Sequence, residues 1–267
     1  MKAPQRILVT GCSSGLGLAL CRELLQRGCL VAGLARRTEL CAELSTQFPQ
    51  QFSSYAVDVA DGAALRAAMT AAVQHIGGLD AVVANAGMGI PSTADSMRME
   101  DVRRVLAVNV EAAIHTLLLA LPHVRRSPAP LLAAVTSLAG WRAGPGAAPY
   151  CASKAALAAF LDSLRAELAH EGIAVLDIAP GFVRSAMTDR NAFKMPFLME
   201  TDAAARVMAN AVIARRSHVA FPRPVAALVW IVRRLPDCVF DFCARRIAQK
   251  LRRNGTLGVS KAASTRQ

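Results

Sequence analysis

A repeated alternation constrains this chain more than any other feature. Short apolar runs recur at Ile7–Thr10, Leu30–Ala35, Ser54–Val57, Ala81–Ala84, Leu131–Thr136 and Ala174–Ile178, with a weaker one at Val219–Phe221. Helical spacing fills the intervals, near Leu16–Gln26, Glu39–Phe48, Ala63–His75, Met99–Val124, Tyr150–His170 and Asp202–Arg215. The runs are nearly continuous rather than alternating, as parallel strands covered on both faces require. Strand and helix taking turns predict one α/β domain, a doubly wound parallel sheet with helices on both faces. Gly28 and Gly172 follow two of the helical stretches and suit C-terminal caps. The 267 residues are enough for one full core, and no repeat or interdomain linker interrupts them. The expected organisation is a domain over 1–222, a basic amphipathic helical extension over 223–254 and a fraying tail over 255–267.

Composition removes several function classes. At 54% hydrophobic residues the chain is not intrinsically disordered. Seven scattered cysteines without CxxC spacing read as reduced thiols, and five histidines without paired spacing give no support for a metal. The first residues run straight into an apolar strand without a secretory signal, so the expected location is cytoplasmic, with a possible peripheral position at the inner membrane surface. The net charge of +12 is unevenly placed: residues 201–267 hold 13 Lys and Arg against 3 Asp, whereas residues 1–200 hold 18 against 16. Such asymmetry points to an anionic partner for the C-terminal segment. Nucleic acid is not expected, because no recognition motif accompanies the charge.

Two constellations carry chemistry. Thr10-Gly11-Cys12-Ser13-Ser14-Gly15-Leu16-Gly17 links the first strand to the first helix. Glycines there let a backbone approach a pyrophosphate held at the positive helix N-terminus. The second strand ends Ala35-Arg36-Arg37, with no acid to accept from a ribose 2′-OH and two arginines to meet a 2′-phosphate. That favours NADP over NAD; the alternative is that both arginines simply start a solvated helix. Further along, Tyr150 and Lys154 are spaced to share a helix face one turn apart, and Ser137 stands thirteen residues upstream at the end of a buried strand. A phenol, an ammonium and a hydroxyl supply a proton donor, a neighbour that tunes it and an anchor for a carbonyl. Cys12 and Cys151 border these motifs and read as small space-fillers.

With these motifs in order, the chain resembles the classical short-chain dehydrogenase/reductase family over roughly residues 5–220, and the resemblance implies a Rossmann-like fold. Thr10–Gly17 matches the TGxxxGxG loop. Asp58-Val59 matches the acidic position at the adenine, and Ala84-Asn85-Ala86-Gly87 matches NNAG with its first Asn replaced. Asn109, Ser137, Tyr150 and Lys154 match the catalytic set, and Pro180-Gly181 follows the sixth strand. Val183 and Ser185 fall in the stretch where the family binds the nicotinamide end, Ser185 in place of a frequent threonine. The resemblance implies that Tyr150 is the general acid or base, that Lys154 and the oxidised nicotinamide together lower its pKa from about 10, and that Lys154 holds the nicotinamide ribose. It also implies that Ser137 orients the substrate oxygen and that Asn109 holds a water relaying protons to Lys154. Two residues keep plain alternatives: Asn109 satisfying buried backbone groups, and Ser137 as an ordinary strand-end hydroxyl. A homo-oligomer, dimer or tetramer, is implied in the same way.

The substrate region is expected between Gly181 and Thr201, where Phe182, Met187, Phe193, Met195, Phe197, Leu198 and Met199 cluster. Met88, Ile90 and Trp141 are expected at the same mouth. An adaptable Met- and Phe-rich lining suits a lipophilic ketone or aldehyde, or its alcohol; the alternative is that these residues only pack the lid on the body. A 3-oxoacyl reductase on a carrier-bound substrate and a non-catalytic NADPH-binding regulator remain competing functions. After Phe221 the chain adds an apolar run, Val225–Val232, too short to span a bilayer, which needs ~20 residues. A probable amphipathic helix follows it, with Val239, Phe240, Cys243, Ala244, Ile247 and Leu251 at helical spacing amid Arg245, Arg246, Lys250, Arg252 and Arg253. Three readings compete for it: an anionic membrane surface, packing on its own body or a second subunit, and an acidic carrier protein.

Overall fold

The computed structural model of the chain describes residues 3–184, 188, 195 and 197–253. Seven parallel strands form one sheet in the order β3-β2-β1-β4-β5-β6-β7. They are β1 (Arg6–Thr10), β2 (Leu30–Ala35), β3 (Phe52–Ala56), β4 (Ala81–Ala84), β5 (Leu131–Val135), β6 (Ala174–Pro180) and β7 (His218–Phe221). All seven expected strands are present, displaced by at most two residues at their ends.

Continuous apolarity in the strands has a simple cause. Ile7 and Val9 of β1, Ala81 and Val83 of β4, and Leu131 and Ala133 of β5 enter one core layer. Their neighbours Leu8, Val82, Ala84, Leu132 and Ala134 enter the other. Side chains alternate along a strand, so a sheet covered on both faces needs apolar residues at every position. One layer is closed by α1 (Gly15–Gln26) and α7 (Thr201–Ile213), through residues such as Leu20, Leu24, Met208 and Val212. The other is closed by α3 (Gly62–His75), α5 (Ala113–Val124) and α6 (Ala148–Leu168), through Leu65, Met69, Leu117, Leu157 and Leu161.

Two helices depart from expectation. The stretch expected as one helix over Glu39–Phe48 is a 3-10 turn, Thr38–Cys41, followed by the short α2 (Ala42–Gln47). The stretch expected over Met99–Val124 is α4 (Met99–Leu106) and α5 joined by a π-helical segment, Ala107–Ala112. Asn109 lies in that segment. The Ala113 N–H, which would reach Asn109 O in a regular α-helix, bonds Val110 O. Such π segments are frequent at functional sites, and the side-chain bonds of Asn109 described below account for this one.

Beyond β7 the chain forms α8 (Arg223–Val232) and α9 (Asp237–Arg253). The helix expected after Pro236 is present. Phe240, Ala244 and Ala248 are half-buried, whereas Val239 and Cys243 are exposed. The tail over 255–267 lies outside the described residues.

Candidate active site

The strand order places β1 beside β4, and the chain runs outward from there in both directions. Loops leaving the carboxyl ends of these two strands therefore diverge, opening the crevice where α/β sheets bind ligands. Thr10 bolts its two walls together. Its hydroxyl accepts from the Asn85 and Ala86 N–H groups at 3.0 Å each, and its carbonyl accepts from Asn85 Nδ2 at 2.8 Å. Asn85 is thus spent on holding the glycine loop. Gly17 has no room for a side chain: a Cβ there would lie 2.1 Å from Gly11 O and 2.5 Å from Asn85 Nδ2.

At the N-terminus of α1, Ser14 is the N-cap but makes no side-chain cap bond, and the first turn holds no acid. The leading N–H groups of α1 are left without a side-chain acceptor there, as an anion site at a helix N-terminus requires. The Gly11–Gly17 cradle therefore fits a dinucleotide pyrophosphate. At the end of β2, Arg36 projects outward with 72% of its side chain exposed, 4.0 Å from the exposed Asp58. Val59 beside it is buried. Cys12 lies beneath the loop, fully buried, with its Sγ 3.7 Å from Cys41 Sγ. Cys151 is also buried, so both act as fillers.

The catalytic candidates converge at the carboxyl ends of β4, β5 and β6. Pro149 opens α6 in its first turn, a position where its fixed φ suits a helix start, and Tyr150 follows at once. One turn later the Lys154 ammonium lies 5.9 Å from the Tyr150 ring centre and donates to Val135 O at 2.7 Å. Ser137, just past β5, donates to Pro180 O at 3.2 Å and accepts from the Ala139 N–H at 3.1 Å. Its turn packs directly on α6: a Cβ on Gly140 would lie 2.9 Å from Ala155 N and from Lys154 C. This contact fixes Ser137 against Tyr150. Gly87 sits between Asn109 and Lys154, with the position of a Cβ 3.3 Å from Asn109 Oδ1 and 3.4 Å from Lys154 Nζ.

Asn109 is fully buried. Its Oδ1 accepts from the Met88 N–H at 2.8 Å, and its Nδ2 donates to Met88 O and Ser153 Oγ, both at 2.9 Å. The side chain therefore satisfies the buried backbone groups of Met88 and fixes the loop after β4.

Electrostatics separate the two titratable groups. Burial pushes the Lys154 ammonium down to about 8, while the charge of Asp177 pulls it back up. Burial pushes the Tyr150 phenol up, with a Ser137 hydrogen bond acting the other way. The phenol keeps its proton through the neutral range, which is the state of a proton donor.

Asp177 is the residue that the sequence reading missed. It is buried in β6, accepts from Thr136 Oγ1 and lies 3.3 Å from His218 Nδ1. A lone acid inside the apolar run Ala174–Ile178 was the available signal, because a buried carboxylate needs partners. Ser153, which precedes Lys154 and is wholly buried, was also missed, and Met88, expected at the substrate mouth, pairs its backbone with the Asn109 side chain.

The lid is only partly described. Val183 is buried and forms an isolated bridge with Met199, which packs on the core rather than lining a mouth. Phe197 is 63% exposed. Trp141 stacks on His218 at 5.5 Å and packs with Leu138 and Val225, towards α8. Ser185, Met187 and Phe193 lie outside the described residues. A hollow of about 470 Å³ lined by Arg125, Ser127, Glu171 and Arg215 opens at the amino ends of β5 and β6, opposite to Ser137.

The sheet, the glycine loop at its crevice and the Tyr150/Lys154 pair one helical turn apart define a nucleotide-binding α/β oxidoreductase. The chain belongs to the short chain dehydrogenase family, which matches residues 5–195. An oxidoreductase of Myxococcus xanthus (strain DK1622) is 39% identical over 243 residues, covering 90% of this chain and 96% of that one. Two solved structures share the fold. A 3-ketoacyl-(acyl-carrier-protein) reductase from Brucella melitensis, complexed with NADH, has a TM-score of 0.75 at 24% identity and covers 82% of this chain and 98% of its own. An alcohol dehydrogenase from the archaeon Thermococcus sibiricus, complexed with 5-hydroxy-NADP, has a TM-score of 0.74 at 21% identity and covers 81% and 95%.

Proposed function

We propose that this protein is an NADP-dependent reductase of a lipophilic ketone or aldehyde, with Tyr150 as general acid. The observation that carries the reading is the convergence of Tyr150, Lys154 and Ser137 at the carboxyl ends of the strands, with the Lys154 ammonium 5.9 Å from the Tyr150 ring centre and anchored on Val135 O. Ser137 orients the carbonyl oxygen and stabilises the charge growing on it. Tyr150 gives that oxygen its proton. Lys154, which has three donors and needs one for Val135 O, uses the others to hold the nicotinamide ribose and to stabilise the phenolate left behind. When bound, the nicotinamide supplies the hydride. In the oxidative direction the same residues act in reverse, at a disadvantage while the phenol is pushed up.

Arg36 supports the choice of NADP. Its exposed guanidinium stands at the end of β2, where Ala35 provides no carboxylate for a 2′-OH. The test is NADPH and NADH consumption with a panel of lipophilic ketones and aldehydes, beside a carrier-bound 3-oxoacyl substrate. NADPH turnover on the free carbonyls supports the reading. Turnover confined to the carrier-bound substrate, or tight NADPH binding without turnover, would replace it. Arg36→Ala is expected to weaken NADPH binding roughly 30-fold, about 2 kcal/mol for a charge-assisted bond, and to leave NADH unchanged. Equal losses for both cofactors would remove Arg36 as the discriminating group.

A further inference from the structure

Nine large apolar side chains are exposed among the described residues, and five of them lie on α8 and α9: Leu228, Trp230, Ile231, Val239 and Phe242. The first three are each more than half exposed and form the outer face of α8, while its inner face, through Val225 and Val229, packs on Leu138 and Trp141. Basic groups surround the exposed patch. Arg234 stacks over Trp230 at 3.5 Å, and Arg246 over Phe242 at 4.3 Å. Residues 223–253 hold eight Lys and Arg against two Asp.

We propose that α8 and α9 dock the protein on an anionic lipid surface, beside the segment that leaves Ser137. The inference rests on the lipophilic substrate proposed above and names where such a substrate would be met. Apolar side chains ringed by arginines suit the boundary between acyl chains and headgroups, with the guanidinium groups at the phosphates. The ten residues of α8 span about 15 Å, half of what a bilayer core requires, so the helix lies in the interface instead of crossing it.

Charge decides against a second copy on this face. A second copy seated face to face would bring two strongly positive extensions together, whereas anionic headgroups neutralise them. Nucleic acid offers phosphates but nothing for Leu228, Ile231 and Trp230 to bury against.

The extension is also tied to the site. Arg142, five residues past Ser137 and next to Trp141, pairs with Asp237 at 2.9 Å and stacks on Phe240 at 3.9 Å. The segment that leaves Ser137 is therefore clamped to the helices that would lie on the lipid.

The test uses the full chain with phosphatidylcholine vesicles, with and without phosphatidylglycerol, at low and high salt. Sedimentation and the emission of Trp230 are the readouts. The expected result is co-sedimentation with anionic vesicles at low salt, a blue shift, and release by salt. Arg233→Gln with Arg234→Gln is expected to weaken binding roughly 30-fold, at about 1 kcal/mol per arginine near the surface. Leu228→Gln with Trp230→Gln and Ile231→Gln is expected to abolish binding; all three side chains are exposed, so circular dichroism should not change. Wild-type protein left in the supernatant with anionic vesicles at low salt would overturn the proposal. So would variants that bind as wild type does, or a triple variant that breaks an oligomer in vesicle-free sedimentation, which would show a second copy on this face. Turnover of a short water-soluble ketone, assayed without vesicles, reports separately on the catalytic reading.

Discussion

The two ends of the sheet each bury a charge, and the two are treated oppositely. At the amino end, Asp80 precedes β4 and is saturated. It accepts from the Gln5 and Arg6 N–H groups, from Arg6 Nε and Nη2 and from Ser127 Oγ, at 2.6–3.2 Å. These donors hold its carboxyl down at about 2 against the cost of burial. At the carboxyl end, the Lys154 ammonium donates one hydrogen bond among the described residues, to Val135 O, and burial pushes it down to about 8. A charge that fastens a fold has every site filled. A charge that serves chemistry keeps donors in reserve, and the fold carries the cost.

Three substitutions can break or sharpen this contrast. Lys154→Met is expected to lower turnover by ~100-fold or more, the lower range for an acid–base component, without lowering the melting temperature at neutral pH. The sign follows from linkage. The unfolded state binds more protons than the fold between about pH 8 and the ordinary lysine value, so wild-type stability rises across that window and the variant's does not. A Lys154→Met protein that melts well below wild type would make the lysine structural.

Asp80→Ala is expected to do the reverse. Removing a partner from a buried, bonded pair costs about 3 kcal/mol, or roughly 6–12 °C in melting temperature for a chain of this size, while turnover per folded molecule stays near wild type. Acid adds a second readout. Because the folded value lies below the ordinary one, wild type loses this stabilisation as pH falls from the ordinary carboxylate range through about 2, and the variant has none to lose. A loss of turnover without a loss of stability would contradict the assignment.

The smallest effect belongs to Asp177→Asn. The Asp177 charge raises the pKa of Lys154, so its removal should move the alkaline limb of the reduction profile to lower pH, with little change in rate near neutrality. An unmoved limb would detach Asp177 from the lysine.

Much of this was legible in the chain, because its signals are local. Nearly continuous apolar runs can only be strands covered on both sides, so all seven strands could be read. Tyr150 and Lys154 share one helix, so their adjacency followed from spacing alone. What was not legible depends on residues far apart in sequence. The π segment around Asn109 answers to Met88 and Ser153, and the anchoring of Asp177 answers to Thr136 and His218.

The claim that Tyr150 is the proton donor beside a bound nicotinamide is tested most directly by Tyr150→Phe, with NADPH oxidation by a carbonyl substrate and NADPH binding measured on the same preparation. The account predicts turnover reduced by ~100-fold or more with cofactor binding retained. Turnover within a few-fold of wild type would contradict it.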